Sequence, residues 1–364
     1  MYGRPRLYLD YAESAVRGAD LTLSLSDIAG WKSASLQLEG SYVNRYENLK
    51  DNADYVDRLT TNNLDMYAVG GNFNWNGLDV RAEYVTKTKD LPEISSATEV
   101  DGNAILAEVG YATGNFSALG TFRRLEHMNT MLTLQGQGAG NTLNYLPALT
   151  RQYTYMLANL EPYQVNAEGE TAGQFDVYYS LRPASNRSRY WNFHANFSTA
   201  YSDKNITGES RLLWRDINAD VEHRWNKQWK TAVLVSVQEW SLHMEWTTKL
   251  MLRIFLLLTI HTSSTAMALR AELQYLYSTD YEKDWMAALL EFSMAPRWSV
   301  SVSDMYNHGT TKVHYYTASV SYTRKNTRVQ LSYGRNRAGY VCSGGVCRYT
   351  PAYTGANLVV TSSF

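Results

Sequence analysis

No stretch of this chain holds the ~18 consecutive apolar residues that a spanning helix needs, so a helical membrane protein is excluded. Proline is scarce, with 7 in 364 residues, as paired strands require, because proline cannot donate to a ladder. There are 2 cysteines, and no further Cys or His pair has zinc spacing. Net charge is −1, so neither a basic nor an acidic excess points to nucleic acid or an acidic substrate. No Gly-x-Ser-x-Gly elbow, His-Glu-x-x-His pair or phosphate-cradling glycine loop is present. The first residues, Met1 to Leu7, lack the apolar core of a signal peptide. Leu7, Leu9 and Tyr11 already alternate like a strand, so an N-terminally truncated chain is expected.

Aromatics are plentiful: 28 Tyr and 10 Trp. Such side chains suit strands and membrane–water interfaces, where one end of a ring can be apolar and the other wet. Residues 352–364 set the pattern. Ala356, Leu358, Val360 and Phe364 fall on one face, and Gly355, Asn357, Thr361 and Ser363 on the other. The same period-two pattern recurs from 33–44 through 64–75, 78–86, 104–113, 116–124, 175–182, 190–201 and onward to the C-terminus. Asn76-Gly77 is a strong two-residue hairpin signal, and Gly114-Asn115 is a second tight turn.

Counted back from Phe364, short connections (76–77, 114–115, 226–228, Pro296, 325–327) fall on one side and long ones on the other. That asymmetry belongs to bacterial outer-membrane barrels. Trp75, Trp225, Trp229 and Trp298 cluster beside the short connections, as an interfacial aromatic girdle would. The expected fold is therefore all-β: a transmembrane antiparallel up-and-down β-barrel of about 18 strands, within 16–20, forming one domain over 1–364. Leu358, Val360 and Phe364 form the C-terminal signal read by the barrel-assembly machinery. Outer-membrane lipid is the other expected partner, in the bacterial outer membrane.

The polar faces carry both signs of charge. Asp79, Arg81, Glu83, His194, Asp216, Asp220, Glu222, Arg224, Lys230, Arg270 and Glu272 are expected to face the lumen. A barrel this size encloses water unless plugged. No single-sign ring appears, so no ion selectivity follows. His194 shares its face with Ser198, and the next strand offers Asp216 and Asp220, the components of an outer-membrane hydrolase site. Asp51, Asp54 and Asp57 in one loop carry the ligand type of Ca²⁺, but an ordinary solvated loop is the favoured reading. No catalytic residue, metal or cofactor is assigned, and the protein is not expected to be an enzyme.

Two regions resist the pattern. Residues 125–172 read as a long external loop with room for an extra hairpin around 153–160. Residues 241–267 hold an apolar run with Arg253 inside it and no alternation. As a strand, this run would put leucine on the lumen side and be the least regular in the structure. A shifted reading frame over 241–267 would restore alternation, so a frame error is one expectation; an unusual but genuine strand is the other. Cys342 and Cys347 are separated by a Gly-Gly-containing segment that lets the chain double back, so a disulfide in an oxidising compartment is expected.

The run Cys-Ser-Gly-Gly-Val-Cys-Arg-Tyr-Thr-Pro-Ala-Tyr-Thr-Gly from Cys342, ending in a terminal Phe, resembles a family of Bacteroidota outer-membrane proteins of unknown function. Asn144-Tyr-Leu-Pro-Ala-Leu-Thr and Val16-Arg-Gly-Ala-Asp are similar to that family too. The resemblance implies location and fold but no activity. The functional expectation is a porin-like channel or transport barrel. The alternative is a structural, assembly or secretion-associated barrel with a plugged lumen. The third reading is the hydrolase.

Overall fold

The computed structural model describes residues 14–49, 54–92, 96–134, 141, 143, 146–186, 188–203, 209–244, 247–343 and 346–363. Among the described residues, seventeen strands belong to one antiparallel sheet, and two more form a separate hairpin. The expected all-β, up-and-down class is therefore present, at 17 strands in the main sheet. The chain divides into two compact units, Met1–Leu149 with Gln164–Phe175 and Thr199–Leu213, and Thr150–Tyr163 with Asp176–Ser198 and Trp214–Phe364.

In the first unit β1 (Ser14–Ser24) is followed by the short helix α1 (Leu25–Ala29). Then come β2 (Ala34–Glu47), β3 (Asn63–Trp75), β4 (Leu78–Asp90), β5 (Val100–Thr113) and β6 (Phe116–Glu126). Each pairs with its neighbour, with Leu23 opposite Leu38, Tyr42 opposite Tyr67, and Trp75 opposite Leu78. Strands β7 (Gly169–Leu181), β8 (Tyr190–Ser202) and β9 (Leu212–Arg224) have residues in both units.

The second unit continues with β10 (Trp229–Met244), β11 (Thr247–Ser263), β12 (Met267–Ser278), β13 (Trp285–Met294), β14 (Trp298–Asn307), β15 (His314–Arg324) and β16 (Thr327–Asn336). A hairpin of β17 (Gly339–Ser343) and β18 (Val346–Thr350) precedes the last strand, β19 (Tyr353–Ser362). Strand β19 pairs with β16, placing Leu358 opposite Leu331 and Val360 opposite Val329. Cys342 lies opposite Cys347 in the β17–β18 ladder. Their side chains, and hence the expected disulfide, lie outside the described residues, as does Phe364.

The tight turns follow from residue type. Asn76 and Gly77 both have positive φ, 46° and 83°, as a turn matching strand twist requires. Gly77→Ala would place a methyl group against the Ala112 carbonyl oxygen. Left-handed backbone alone costs an alanine about 1–2 kcal/mol, so the variant should unfold at clearly lower urea concentration. Unchanged stability would contradict this account of the turn. At 225–228, the Asn226 side-chain oxygen accepts from the Gln228 and Trp229 backbone N–H groups at 2.8 and 2.9 Å, fixing the reversal locally.

Alternation gives most strands one exposed apolar face. Val69 is 62% exposed, Leu273 61% and Leu358 64%. Trp75, Trp225, Trp229 and Trp298 are exposed too, each at or beside a strand end next to a short connection.

The stretch 153–160, left open between loop and hairpin, is a succession of turns and bends. One expectation is overturned: β11, inside the anomalous segment, is a regular strand of 17 residues. It pairs without interruption with β10, from Thr262 opposite Trp229 to Thr247 opposite Met244, and with β12 from Arg253 to Ser263. Arg253 is 2% exposed. The expectation of irregularity assumed a wet face opposite the outward one. The strand is tolerated because that face is dry.

Candidate functional site: a chain segment laid on the wall

In the second unit, the face of β9–β13 opposite the exposed one is covered by Thr150–Tyr163. Antiparallel register brings Leu234, Phe255, Leu257, Leu276, Trp285 and Ala287 together on that face. Tyr153, Leu157, Ala158 and Leu160 pack onto this patch and complete a buried cluster. Tyr153 and Tyr155 lie 6.5 and 6.4 Å from the Phe255 ring, centroid to centroid. Burying a side chain of this size stabilises by about 1.5–3 kcal/mol, so leucine on the inner wall is an advantage here.

Polar contacts fix the register of the segment. The Thr150 hydroxyl accepts from Trp214 Nε1 at 3.0 Å, and Ser198 donates to it at 3.1 Å. Arg151 reaches Asn218 at 2.7 Å and Asp220 at 2.5 Å. Tyr153 donates its hydroxyl to Asp216 at 2.7 Å, whose other oxygen accepts from Ser236 at 2.8 Å. Burial first, and then the Asp216 carboxylate, push the Tyr153 phenol far above its ordinary range, so it remains a donor. The Leu157 N–H donates to Gln274 at 3.0 Å. At the far end, Glu161 accepts from Arg253 at 2.8 Å and Arg337 at 2.9 Å. Arg253 also bonds Asp280 at 2.6 Å, and Arg337 bonds Glu282 at 2.9 Å. Arg253 lies over the Trp240 ring as well, 4.2 Å from its centroid.

The first unit holds residues 129–134 and Pro147 similarly, with different chemistry. Three buried wall cations hold carbonyl oxygens: Arg45 to Met131 at 2.7 Å, Lys87 to Asn129 at 2.8 Å and Arg123 to Pro147 at 2.5 Å. Asp90 and Glu170 neutralise Arg45 and Arg123. Glu47 accepts from the Thr133 hydroxyl and from the Leu134 N–H.

Several of the charged residues expected to line the lumen form ion pairs. Arg81 bonds Glu83 at 3.1 Å and stands 3.9 Å from Glu108. Asp79 shares the face of β4 with Arg81, Glu83 and buried Lys87. Lys230 bonds Glu222 at 2.9 Å, and Arg270 bonds Glu272 and approaches Glu291. Arg224 turns to the carbonyls of Asn226 and Lys227.

His194 has Asp220 on Nδ1 at 3.0 Å and Asp176 on Nε2 at 2.9 Å. Tyr178 stacks on it at 4.1 Å. Ser198, completely buried, bonds Thr150 instead. The candidate triad is therefore not assembled: carboxylates face both imidazole nitrogens. Of the three loop aspartates, Asp51 lies outside the described residues. Among the described residues no group of three or more His, Cys, Asp or Glu is placed to hold a metal.

Sequence reasoning missed the covering segment and the cations Arg45, Lys87 and Arg123. The available signal was the apolar residues Leu234, Phe255, Leu257 and Leu276 on a face otherwise polar, which demand a cover.

The whole chain, residues 1–364, matches the family described as "Family of unknown function (DUF6029)". The protein belongs to that family. No curated protein matches it. Among solved structures, it is similar to the outer membrane protein OpdK of Pseudomonas aeruginosa, with 10% identity, TM-score 0.44, and coverage of 96% of this chain and 93% of that one. OccK9 (OpdG) of the same organism gives 8% identity, TM-score 0.46, and coverage of 100% and 94%. OccAB3 of Acinetobacter baumannii gives 7%, 0.44, 96% and 92%.

Proposed function

We propose that this DUF6029 member is an outer-membrane β-barrel of porin-like type, conducting small polar solutes past an infolded segment. One observation carries the reading: strand after strand presents a solvent-exposed apolar face, from Tyr67 and Val69 through Leu256, Leu258, Leu273, Leu290 and Val302 to Leu358 and Val360. Soluble monomers rarely expose contiguous apolar patches beyond a few hundred Å². Lipid is the solvent that suits such faces, and a strand can cross it only where its backbone groups are paired. The exposed tryptophans beside the short connections fit the headgroup level. The opposite faces, with Arg81, Glu83, Glu222 and Lys230 paired in partly exposed ion pairs, suit water.

The proposed setting is the bacterial outer membrane, and the terminal motif points to Bacteroidota. The final strand, with Leu358 and Val360, serves as the signal for the assembly machinery. The Cys342–Cys347 register supports a surface disulfide; thiol labelling of intact cells should be silent until a reductant is added.

Discrete conductance steps in a planar bilayer are the expected result for the purified protein. A protein that inserts but stays sealed would replace the channel with a plugged structural barrel, the reading favoured by the cover on β9–β13. Fractionation with soluble proteins would sink both. Catalysis is not part of the proposal. Ester hydrolysis should stay at background, and His194→Ala should not change it; an activity lost on that substitution would reinstate the hydrolase.

A further inference from the structure

We propose that the short-turn end of β8–β10 holds a phosphate site for an anionic phospholipid of the periplasmic leaflet. The inference rests on the membrane reading above. Strands β8 and β9 are neighbours in the antiparallel sheet, so the connection 182–189 lies at the same end as 225–228. Both stretches are basic. Residues 181–190 and 223–230 contain arginine and lysine but no carboxylate.

Arg189 is the centre of the site, and it is exposed. Its Nε donates to the Trp225 carbonyl at 3.0 Å, which fixes the plane of the guanidinium. Among the described residues nothing pairs its two terminal nitrogens. An arginine fork held in this way presents two N–H groups that match two oxygens of a phosphate. Glu222, the carboxylate that precedes the turn, cannot neutralise it. Glu222 lies on the other face of β9 from His223 and accepts from Lys230 and Tyr190, each at 2.9 Å.

Beside Arg189 stands an aromatic shelf. Trp191, Phe193 and Trp225 are exposed, and the Trp191 and Phe193 rings lie 6.2 Å apart. Buried His223 fills the gap between the two tryptophans, 3.8 Å from the Trp191 ring and 4.3 Å, edge-on, from that of Trp225. The Tyr190 carbonyl, 2.9 Å from its Nδ1, holds the imidazole in place. Such rings suit the level where acyl chain gives way to headgroup.

Charge complementarity selects the occupant. Phosphatidylglycerol brings its phosphate to Arg189 and its chains to the shelf, and adds no cation. Phosphatidylethanolamine brings the same phosphate with an ammonium, which would meet Arg182, Arg189 and Lys227 and no carboxylate from either turn.

The test uses the full chain folded in detergent micelles, titrated with phosphatidylglycerol and with phosphatidylethanolamine of the same chains; bound lipid is counted by native mass spectrometry. Phosphatidylglycerol should bind on the order of tenfold more tightly, about one charge-assisted hydrogen bond. Arg189→Gln should abolish that preference. Lys312→Gln, the same change of charge at the opposite end of the strands, should leave it intact. Equal retention of the two lipids by the wild-type protein, a preference that survives Arg189→Gln, or one lost equally in Lys312→Gln overturns the site while leaving the barrel intact. A chain that does not fold in micelles or vesicles overturns the barrel itself.

Discussion

Replacing Thr150–Tyr163 with a Gly/Ser chain of equal length is expected to raise single-channel conductance several-fold. The substitution keeps the connection but removes the side-chain anchors: the Thr150 hydroxyl contacts, the Tyr153–Asp216 bond, the Arg151 pair and the Glu161 bridge. It also withdraws the apolar cover from Phe255, Leu257 and Leu276. A segment tied at so many points is part of the resting structure, because each buried polar contact left unmade costs about 1–3 kcal/mol. Released from them, the chain should wander, as Gly/Ser linkers do. Conductance equal to the wild type would show that the segment does not limit passage. A point variant separates tethering from steric bulk: Leu157→Asp should increase current noise by opening without removing residues.

The second large effect is at Arg253. Arg253→Leu should destabilise the protein by about 3–5 kcal/mol, the cost typical of breaking a buried pair from one side. Asp280, itself 7% exposed, would be left as an uncompensated charge, and Glu161 would lose one of its two cations. Substituting both members, Arg253→Leu with Asp280→Leu, should recover much of the loss, since an apolar pair of similar volume is often neutral or stabilising. Urea unfolding in lipid vesicles, followed by tryptophan fluorescence, reads both. A single variant as stable as the wild type would mean that water reaches Asp280.

The outward half of the molecule was legible in the sequence. Exposed positions such as Leu273, Leu290 and Val300 alternate with polar ones, and the turns at Asn76-Gly77 and Asn226 follow from local backbone preferences. The strands proved longer at their far ends than alternation showed: β2 runs on through Arg45 to Glu47, and β4 through Lys87 to Asp90. Those residues are polar, so periodicity has nothing to report. Their ladder partners keep them in strand, Val16 and Leu64 beside Arg45 and Met66 and Gly102 beside Lys87, and they hold a segment through contacts between residues 45 and 131 or 87 and 129 that no local window contains. The same blindness produced the misreading of β11. Its inner face was judged against water, whereas Phe255 and Leu257 meet Tyr153 and Leu157, about a hundred positions earlier in the chain. The expected Ser/His/Asp grouping is not assembled, for a related reason. Spacing put His194 and Ser198 on one face, but it could not show Asp176 and Asp220 occupying both imidazole nitrogens, nor Thr150 taking the serine.

Arg45, Lys87 and Arg123 grip carbonyl oxygens, and a carbonyl belongs to the chain whatever residue bears it. The two halves of the infolded region therefore ought to drift at different speeds among related proteins. Positions 129, 131 and 147 can exchange letters freely as far as these three grips are concerned, provided the path of the backbone is kept. Arg151, Tyr153 and Glu161 act through their own side chains and have no such freedom. Insertions and deletions reverse the ranking: one residue added between 129 and 147 would slide the carbonyls past their cations, where a whole series of substitutions would pass unnoticed.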